Sequence, residues 1–299
     1  MSLLVAGSLH LDVVVRAPYL PARDETLMGS DVAYVFGGKG GNQAVAAAHM
    51  GARVHMAGHV GQDDFAAPVL DALDAAGVER SGVLQIPGAT GMSVAIVDAA
   101  GDYSAVVVSG VNQSLDGAAV ALPDDLRLVM LQNEVPEAAN LALAARLAPD
   151  VRLMLNAAPA RPLPEALMAR VDILVVNRVE AAMLAGREAA PEALAADLGA
   201  QGAGTVIVTL GADGLCGLGP DGPFAMPAHA VDVISTHGAG DRFCGALAAR
   251  LVAGDDIAAA CRFAQGAAAL HVSTPVAARG AIRAGDVARF HRETVTPIS

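Results

Sequence analysis

Tryptophan is absent from this chain, and tyrosine and phenylalanine supply only 3% of it. A core with so few aromatics must be built from Ala, Val and Leu, which suits Ala-rich helices on a Val-rich sheet. No stretch of about 18 predominantly apolar residues runs free of charge or Gly/Pro interruption, so no membrane span is expected. No basic segment precedes an apolar one at the N-terminus, so a secretory signal is not expected either. The three cysteines, Cys216, Cys244 and Cys261, are odd in number and lack CxxC spacing. They read as buried thiols of a cytoplasmic protein, not as disulfides or zinc ligands. Walker A, HExxH and nucleophile-elbow sequences are missing, as is an early strand–GxGxxG–helix unit for a nicotinamide cofactor. Positive charge is scarce. A formal net charge of −12 argues against nucleic acid as a partner, because phosphate backbones need a basic face. It leaves room for a small anion held by local donors.

What is present points to an α/β protein. After β-type runs at Leu3–Ala6, Leu11–Val15 and Asp31–Phe36, a glycine cluster opens a helix at Asn42–Met50. Val54–Gly58 and the helix Asp63–Ala76 follow. Gly82–Ile86, Met92–Val97 and Tyr103–Val108, separated by Pro-Gly and Ala-Gly-Asp turns, read as a local antiparallel group. Beyond residue 110 strand and helix alternate to the C-terminus, without repeats or linkers. That rhythm predicts a three-layer sandwich with a mainly parallel central sheet, plus a small antiparallel flap or lid from about 11–36 and 90–110. The whole of 1–299 is expected to form one domain.

In open parallel sheets, ligands bind beyond the carboxyl ends of the strands. Polar residues follow several β-type runs at such positions: Glu134, Asn156, Asn177 and Thr209. Asp241 follows another run, Ala230–Ile234, within Ser235-Thr236-His237-Gly238-Ala239-Gly240-Asp241-Arg242. Gly238 and Gly240 let the backbone approach a ligand closely, and the helix opening there turns free N–H groups and its dipole toward an anion. Asp241 is either a helix cap or a base beside an anion site. Asn177-Arg178-Val179-Glu180 is either a capping box or a pair ordering water around Mg²⁺. Gly217–Gly222 matches a dinucleotide pattern, but a hairpin surrounds it, so it is set aside. Eighteen arginines stand against one lysine, Lys39, inside Gly37-Gly38-Lys39-Gly40-Gly41. Either one cation merely happened to be Lys, or a compact ammonium fits a tight glycine pocket that a planar guanidinium would not.

Together these segments resemble the ribokinase-like (PfkB-type) carbohydrate kinase family along nearly the whole chain. Gly37-Gly38-Lys39-Gly40-Gly41-Asn42-Gln43-Ala44 is similar to the N-terminal signature, and Gly238-Ala239-Gly240-Asp241 to the core of the C-terminal one. Asn156-Ala157-Ala158-Pro159-Ala160, Asn177-Arg178-Val179-Glu180 and Thr209-Leu210-Gly211 resemble family segments in the expected order. The resemblance implies ATP-dependent phosphorylation of the primary hydroxyl of a pentose, D-ribose first. It makes Asp241 the base and Gly238, Ala239, Gly240 and Asp241 the anion hole. His10, Asp12, Gly38, Lys39, Asn42 and Glu134 would hold the sugar. Asn177, Thr209, Gly211, Gly214 and Gly240 would face the nucleotide, and Glu180 with Asn177 would hold Mg²⁺ through water. The flap strands would close over the sugar and pair two subunits in a homodimer.

Three residues depart from the family pattern. His10 stands in place of an Asn, which opens the choice to another sugar or a nucleoside. Ser235 replaces an Asp associated with a monovalent-cation site, so weak or absent potassium activation is expected. Arg242 replaces a Thr beside the base, and it either lowers the pKa of Asp241 or points to solvent. A sugar- or nucleotide-binding protein that no longer transfers phosphate is the reading from a different class, and Ser235 and Arg242 are its support.

Overall fold

The computed structural model describes residues 1–100 and 102–294. Gly101 of the Ala-Gly-Asp turn, and residues 295–299 of the single-domain span, lie outside the described residues. The chain begins with β1 (Ser2–Ala6), β2 (His10–Arg16), β3 (Asp31–Gly37), α1 (Lys39–His49), β4 (Val54–Gly61), α2 (Ala66–Ala75) and β5 (Glu79–Ile86). Next come β6 (Met92–Val97), β7 (Tyr103–Val108), β8 (Leu126–Gln132), α3 (Glu137–Ala144), β9 (Arg152–Asn156), α4 (Glu165–Met168) and β10 (Ile173–Asn177). The last part holds α5 (Arg178–Ala185), α6 (Pro191–Ala200), β11 (Thr205–Thr209), β12 (Leu215–Gly219), β13 (Gly222–Met226), α7 (Ala239–Ala253), α8 (Ile257–Ser273) and α9 (Ala284–Thr294).

The large sheet runs in the order β13-β12-β11-β10-β9-β8-β1-β4-β5. Every pairing from β5 to β11 is parallel, and the β12–β13 hairpin adds an antiparallel edge. Side chains alternate between the two faces, and each face feeds its own core. Leu3, Val5, Leu128, Met130, Val175 and Ile207 pack toward α1, α7 and α8. Leu4, Ala6, Val129, Leu131, Leu174 and Val206 pack toward α3, α5 and α6. Burial on both faces explains why these strands read as continuous apolar runs. This is the expected three-layer architecture. From β1 the chain builds outward through β4 and β5 on one side, and later through β8 to β11 on the other. The direction reverses between β1 and β8, which marks the crevice where open α/β sheets take ligands.

The small sheet has the order β3-β2-β6-β7. Two antiparallel pairs, β2–β3 and β6–β7, are joined by a parallel β2–β6 pairing (Val13↔Val94). Two sequence expectations are corrected here. Gly82–Ile86 belongs to β5 in the large sheet, parallel to β4 (Gly58↔Val83). Helix α2, which buries Ala66, Val69 and Leu73, supplies the crossover that a parallel pair requires. Ala230–Ile234 is not a strand. Its Val233 and Ile234 are exposed, and the Ile234 N–H donates to Val272 O in α8 (2.8 Å) instead of to a neighbouring strand. Among the described residues no helix is long and apolar enough to cross a membrane, and Cys216, Cys244 and Cys261 are buried and unpaired.

Candidate active site

Helix α1 starts at the β1/β8 crevice because its glycines allow it to. Gly38, the residue before the helix, has φ +82°, and a Cβ on Gly40 would lie 2.7 Å from the Gly7 and Ser8 backbone. The helix start is thus pressed against the end of β1, where side chains would not fit. Glu134, two residues past β8, fastens the junction. One of its carboxylate oxygens accepts from the Lys39 N–H (2.8 Å) and from the Ser8 hydroxyl.

Helix α7 crosses α1 at Gly245, where a Cβ would sit 2.5 Å from Ala46 Cβ and 2.6 Å from Gln43 O. This close approach brings Asp241, in the first turn of α7, against α1. Asp241 accepts from Asn42 Nδ2 (3.2 Å) and from Gln43 Nε2 (2.9 Å). Gln43 is fully buried. Its amide also donates to Asn156 Oδ1 (3.0 Å) and accepts from Gln132 Nε2 (2.8 Å). Sequence reasoning assigned no role to Gln43 or Gln132. The available signal was a polar side chain on the stripe Gly40-Gln43-Ala44-Ala47, which is otherwise small, apolar and buried.

Asp241 lines a polar cavity of about 160 Å³, together with Lys39, Asn177, Glu180, Thr209, Gly238, Ala239 and Gly240. A second cavity of about 440 Å³ is lined largely by apolar residues such as Ala228, Val231, Ala268 and Val272, together with Gly211 and Gly214. Thr209, Thr236, Ala239, Gly240 and Phe243 line both. The first turn of α7 therefore stands between a charged chamber and an apolar one. Gly238 caps the helix with φ +76°. The Ala239 N–H donates to Thr236 O (3.1 Å), while the Gly240 and Asp241 N–H groups belong to the helix-start donors that lack a partner in the preceding turn. A Cβ on Gly240 would meet no atom within 4 Å.

The chamber's charges tune one another. Burial raises the Asp241 pKa, while the Lys39 ammonium and the hydrogen bonds from Gln43 and Asn42 restrain the rise. Burial alone would lower the Lys39 pKa, but Asp241, Glu134 and Glu180 together raise it. Burial also raises Glu180. Asn177 and Glu180 form a full capping box: Asn177 Oδ1 accepts from Glu180 N (2.8 Å), and Glu180 Oε2 from Asn177 N (2.8 Å). The capping box is present, and both of its residues also line the polar cavity.

The other sugar-side candidates gather under the small sheet. Asp12 accepts from Ser93 N (2.7 Å) and lies 3.8 Å from His10 Nδ1. Its other oxygen sits over Gly37, within 2.1 Å of where a Cβ would be. His10 is 3% exposed, and its Nε2 is buried without a partner. Neither His10 nor Asp12 lines the two cavities; Asp12 packs on Gly37, two residues before Lys39 of the polar cavity. Arg242 follows neither expectation. It is 6% exposed, points away from Asp241, and donates through Nη2 to Arg279 O (3.0 Å).

Residues 2–282 match the model of the pfkB family of carbohydrate kinases. A ribokinase of Bacillus subtilis is 35% identical over 276 residues, covering 91% of this chain and 92% of the relative. Among solved structures, a Thermotoga maritima ribokinase superposes with a TM-score of 0.89 at 27% identity, covering 98% of this chain and 99% of that one. An Arabidopsis thaliana ribokinase complexed with ribose and ATP also gives 0.89, at 28% identity, covering 97% and 98%.

Two outcomes follow from this geometry. Gly240→Ala adds a methyl group only to the open space at the helix start. It should melt with the wild type and bind inorganic triphosphate about tenfold more weakly by calorimetry, a loss of about 1.4 kcal/mol. Lys39→Met removes the charge that restrains Asp241. The Asp241 carboxyl, followed by ¹³C NMR, should then titrate at higher pH than in the wild type.

Proposed function

The chain belongs to the PfkB family of carbohydrate kinases, and on that premise we propose that it transfers the γ-phosphoryl group of ATP to the primary hydroxyl of a pentose, D-ribose first. The observation that carries this reading is the placement of Asp241: an amide-held carboxylate in the polar cavity, next to Gly240 of the helix turn that also lines the apolar one. The apolar cavity suits the nucleotide base, with Gly211 and Gly214 beside it, and the sugar enters under the small sheet near Asp12 and His10. Asp241 takes the proton of the attacking hydroxyl as its oxygen bonds to the γ-phosphorus and the bond to the β-phosphate oxygen breaks, releasing ADP. The raised pKa of Asp241 brings it nearer the working pH as a base, and Gln43 and Asn42 aim it. The Gly240 and Asp241 amides, with Lys39 opposite, receive the charge that develops on the transferred group. Closure of the small sheet excludes water, which would otherwise accept the phosphoryl group.

Glu180 and Asn177, which line the polar cavity, would suit Mg²⁺ bound through water. Among the described residues no three His, Cys, Asp or Glu side chains converge into a metal cage, and Glu180 has one oxygen committed to the helix cap. Glu180 and Asn177 would hold its waters, as expected for an ion that seldom sheds them. When bound, the ion would neutralise charge on the phosphates.

A second substrate reading rests on His10. A buried imidazole offers one free nitrogen, where an amide offers both a donor and an acceptor. A sugar with one hydroxyl fewer, such as deoxyribose, suits that arrangement. ADP release across ribose, deoxyribose, fructose, 2-keto-3-deoxygluconate and nucleosides decides among these. One pentose should dominate, and Asp241→Asn should lower its turnover by about 10³-fold. If no compound gives Asp241-dependent turnover, the non-catalytic binding protein becomes the better reading.

The small sheet also supports a homodimer. Its edge strands β3 and β7 carry exposed Val32, Tyr34, Val106 and Val108, and Tyr34, Val13, Val94 and Val106 lie in register across all four strands. Apolar rows with open edges are what strand-mediated pairing covers. The three free thiols fit a cytoplasmic location. Sedimentation should give a dimer for the wild type and a monomer for Val94→Asp/Val106→Asp, with an unchanged far-UV spectrum.

A further inference from the structure

The loop that leads into the helix start of α7 is held by a cation. Arg279 lies in the turn after α8 and is 6% exposed. Its guanidinium donates to three main-chain carbonyls: Ser235 O through Nη2 (2.8 Å), His237 O through Nη1 (3.0 Å) and Thr274 O through Nε (3.0 Å). Among the described residues no carboxylate pairs with it. Converging carbonyls form the kind of oxygen cluster that binds a metal cation, and here a planar guanidinium fills the cluster. The position matters because His237 immediately precedes Gly238. A trans peptide sets C=O and N–H on opposite sides, so turning His237 C=O toward Arg279 turns the Gly238 N–H away from it. The His271 ring, 2.8 Å from the same carbonyl, supports that orientation from α8.

Ser235 and Arg242, the two departures around this motif, meet at the same residue. Ser235 lacks the side-chain charge that a bound metal cation would need, and its carbonyl is already taken by Arg279. Arg242 reaches back from the residue after the base and fixes the Arg279 carbonyl (3.0 Å). With two guanidinium groups here, a potassium ion would meet occupied carbonyls and like charge. The residues present do not fit a monovalent-cation site.

We infer that Arg279 is a built-in cation that replaces a bound monovalent ion and positions the anion hole. It is a positioning residue that acts through the Ser235–Gly238 backbone, and its role in turnover rests on the kinase reading above. Being covalently attached, it carries no cost of capturing a free ion and cannot dissociate.

The test compares wild type, Arg279→Ala, Arg279→Lys and Arg242→Thr, using the sugar with the highest Asp241-dependent ADP release. Each is assayed in potassium or tetramethylammonium chloride at matched ionic strength. Wild-type kcat should be the same in both salts within about twofold. In Arg279→Ala, kcat should fall about 10²-fold with the sugar KM little changed. Potassium or millimolar guanidinium should restore part of the loss, and tetramethylammonium none. Arg279→Lys keeps the charge but loses the fork, so it should lie between the two. Arg242→Thr should lower kcat less than Arg279→Ala, and the double variant should be non-additive. Melting temperature gives a readout that needs no turnover: guanidinium or potassium should raise it in Arg279→Ala and leave the wild type unmoved. If no sugar turns over in any protein, the kinase reading fails, while this melting response still reports the carbonyl cluster. Several-fold potassium stimulation of the wild type would overturn the inference. So would wild-type kcat in Arg279→Ala, or a loss that no cation restores.

Discussion

Asp241 takes a carboxylate into a spot where burial disfavours its charge, and the Gln43 amide is the contact that holds it there. A desolvated carboxylate is tolerable only with donors aimed at it. Gln43 is itself fixed at both ends, giving to Asp241 and Asn156 and receiving from Gln132. The network joins α1 and α7 to the ends of β8 and β9. Gln132 Oε1 is buried without a partner, but the amide groups that face Asp241 are paired, and that pairing restrains the atoms whose geometry matters for proton transfer. Lys39 completes the balance by keeping the buried carboxylate ionisable.

The close helix approaches serve the same end. Gly40 lets the start of α1 rest on the β1 backbone, and Gly245 lets α7 cross α1 near Gln43. With any larger residue at either place, the carboxylate and its amide would move apart. The helix start of α7 then needs its own anchor, because the segment before it is not a strand. That anchor is Arg279 on the Ser235 and His237 carbonyls, with Ile234 N–H on Val272 O. The site is therefore braced from both sides: by neutral amides around the base, and by a buried cation around the anion-binding turn.

Much of the fold was legible in the sequence because its signals are local. Alternating apolar runs and Ala-rich helices gave the parallel sheet, and the polar residues after those runs lie where the crevice is. Two elements were misread for one reason. Gly82–Ile86 looks like a member of a hairpin group and Ala230–Ile234 looks like a strand, since both are short and β-branched or apolar. Composition does not tell a run which neighbour has a free edge. Helix α2 sends the first to the large sheet, and the second lies along α8, where Ile234 N–H donates to Val272 O.

By itself the sequence determined the layer architecture, the two glycine-bounded helix starts and the residues that mark the family, because spacing of two, three or four residues sets these features. The tertiary structure alone decided how the marked residues work. Gln43 and Asp241 stand 198 positions apart, and Arg279 lies 42 and 44 positions from two of the three carbonyls it holds. Arg242 looked like a charge placed beside the base, yet it turns to the opposite side and joins the brace. Partnerships over such separations leave no periodic trace in the chain; only the packing of α1, α7 and the turn after α8 creates them.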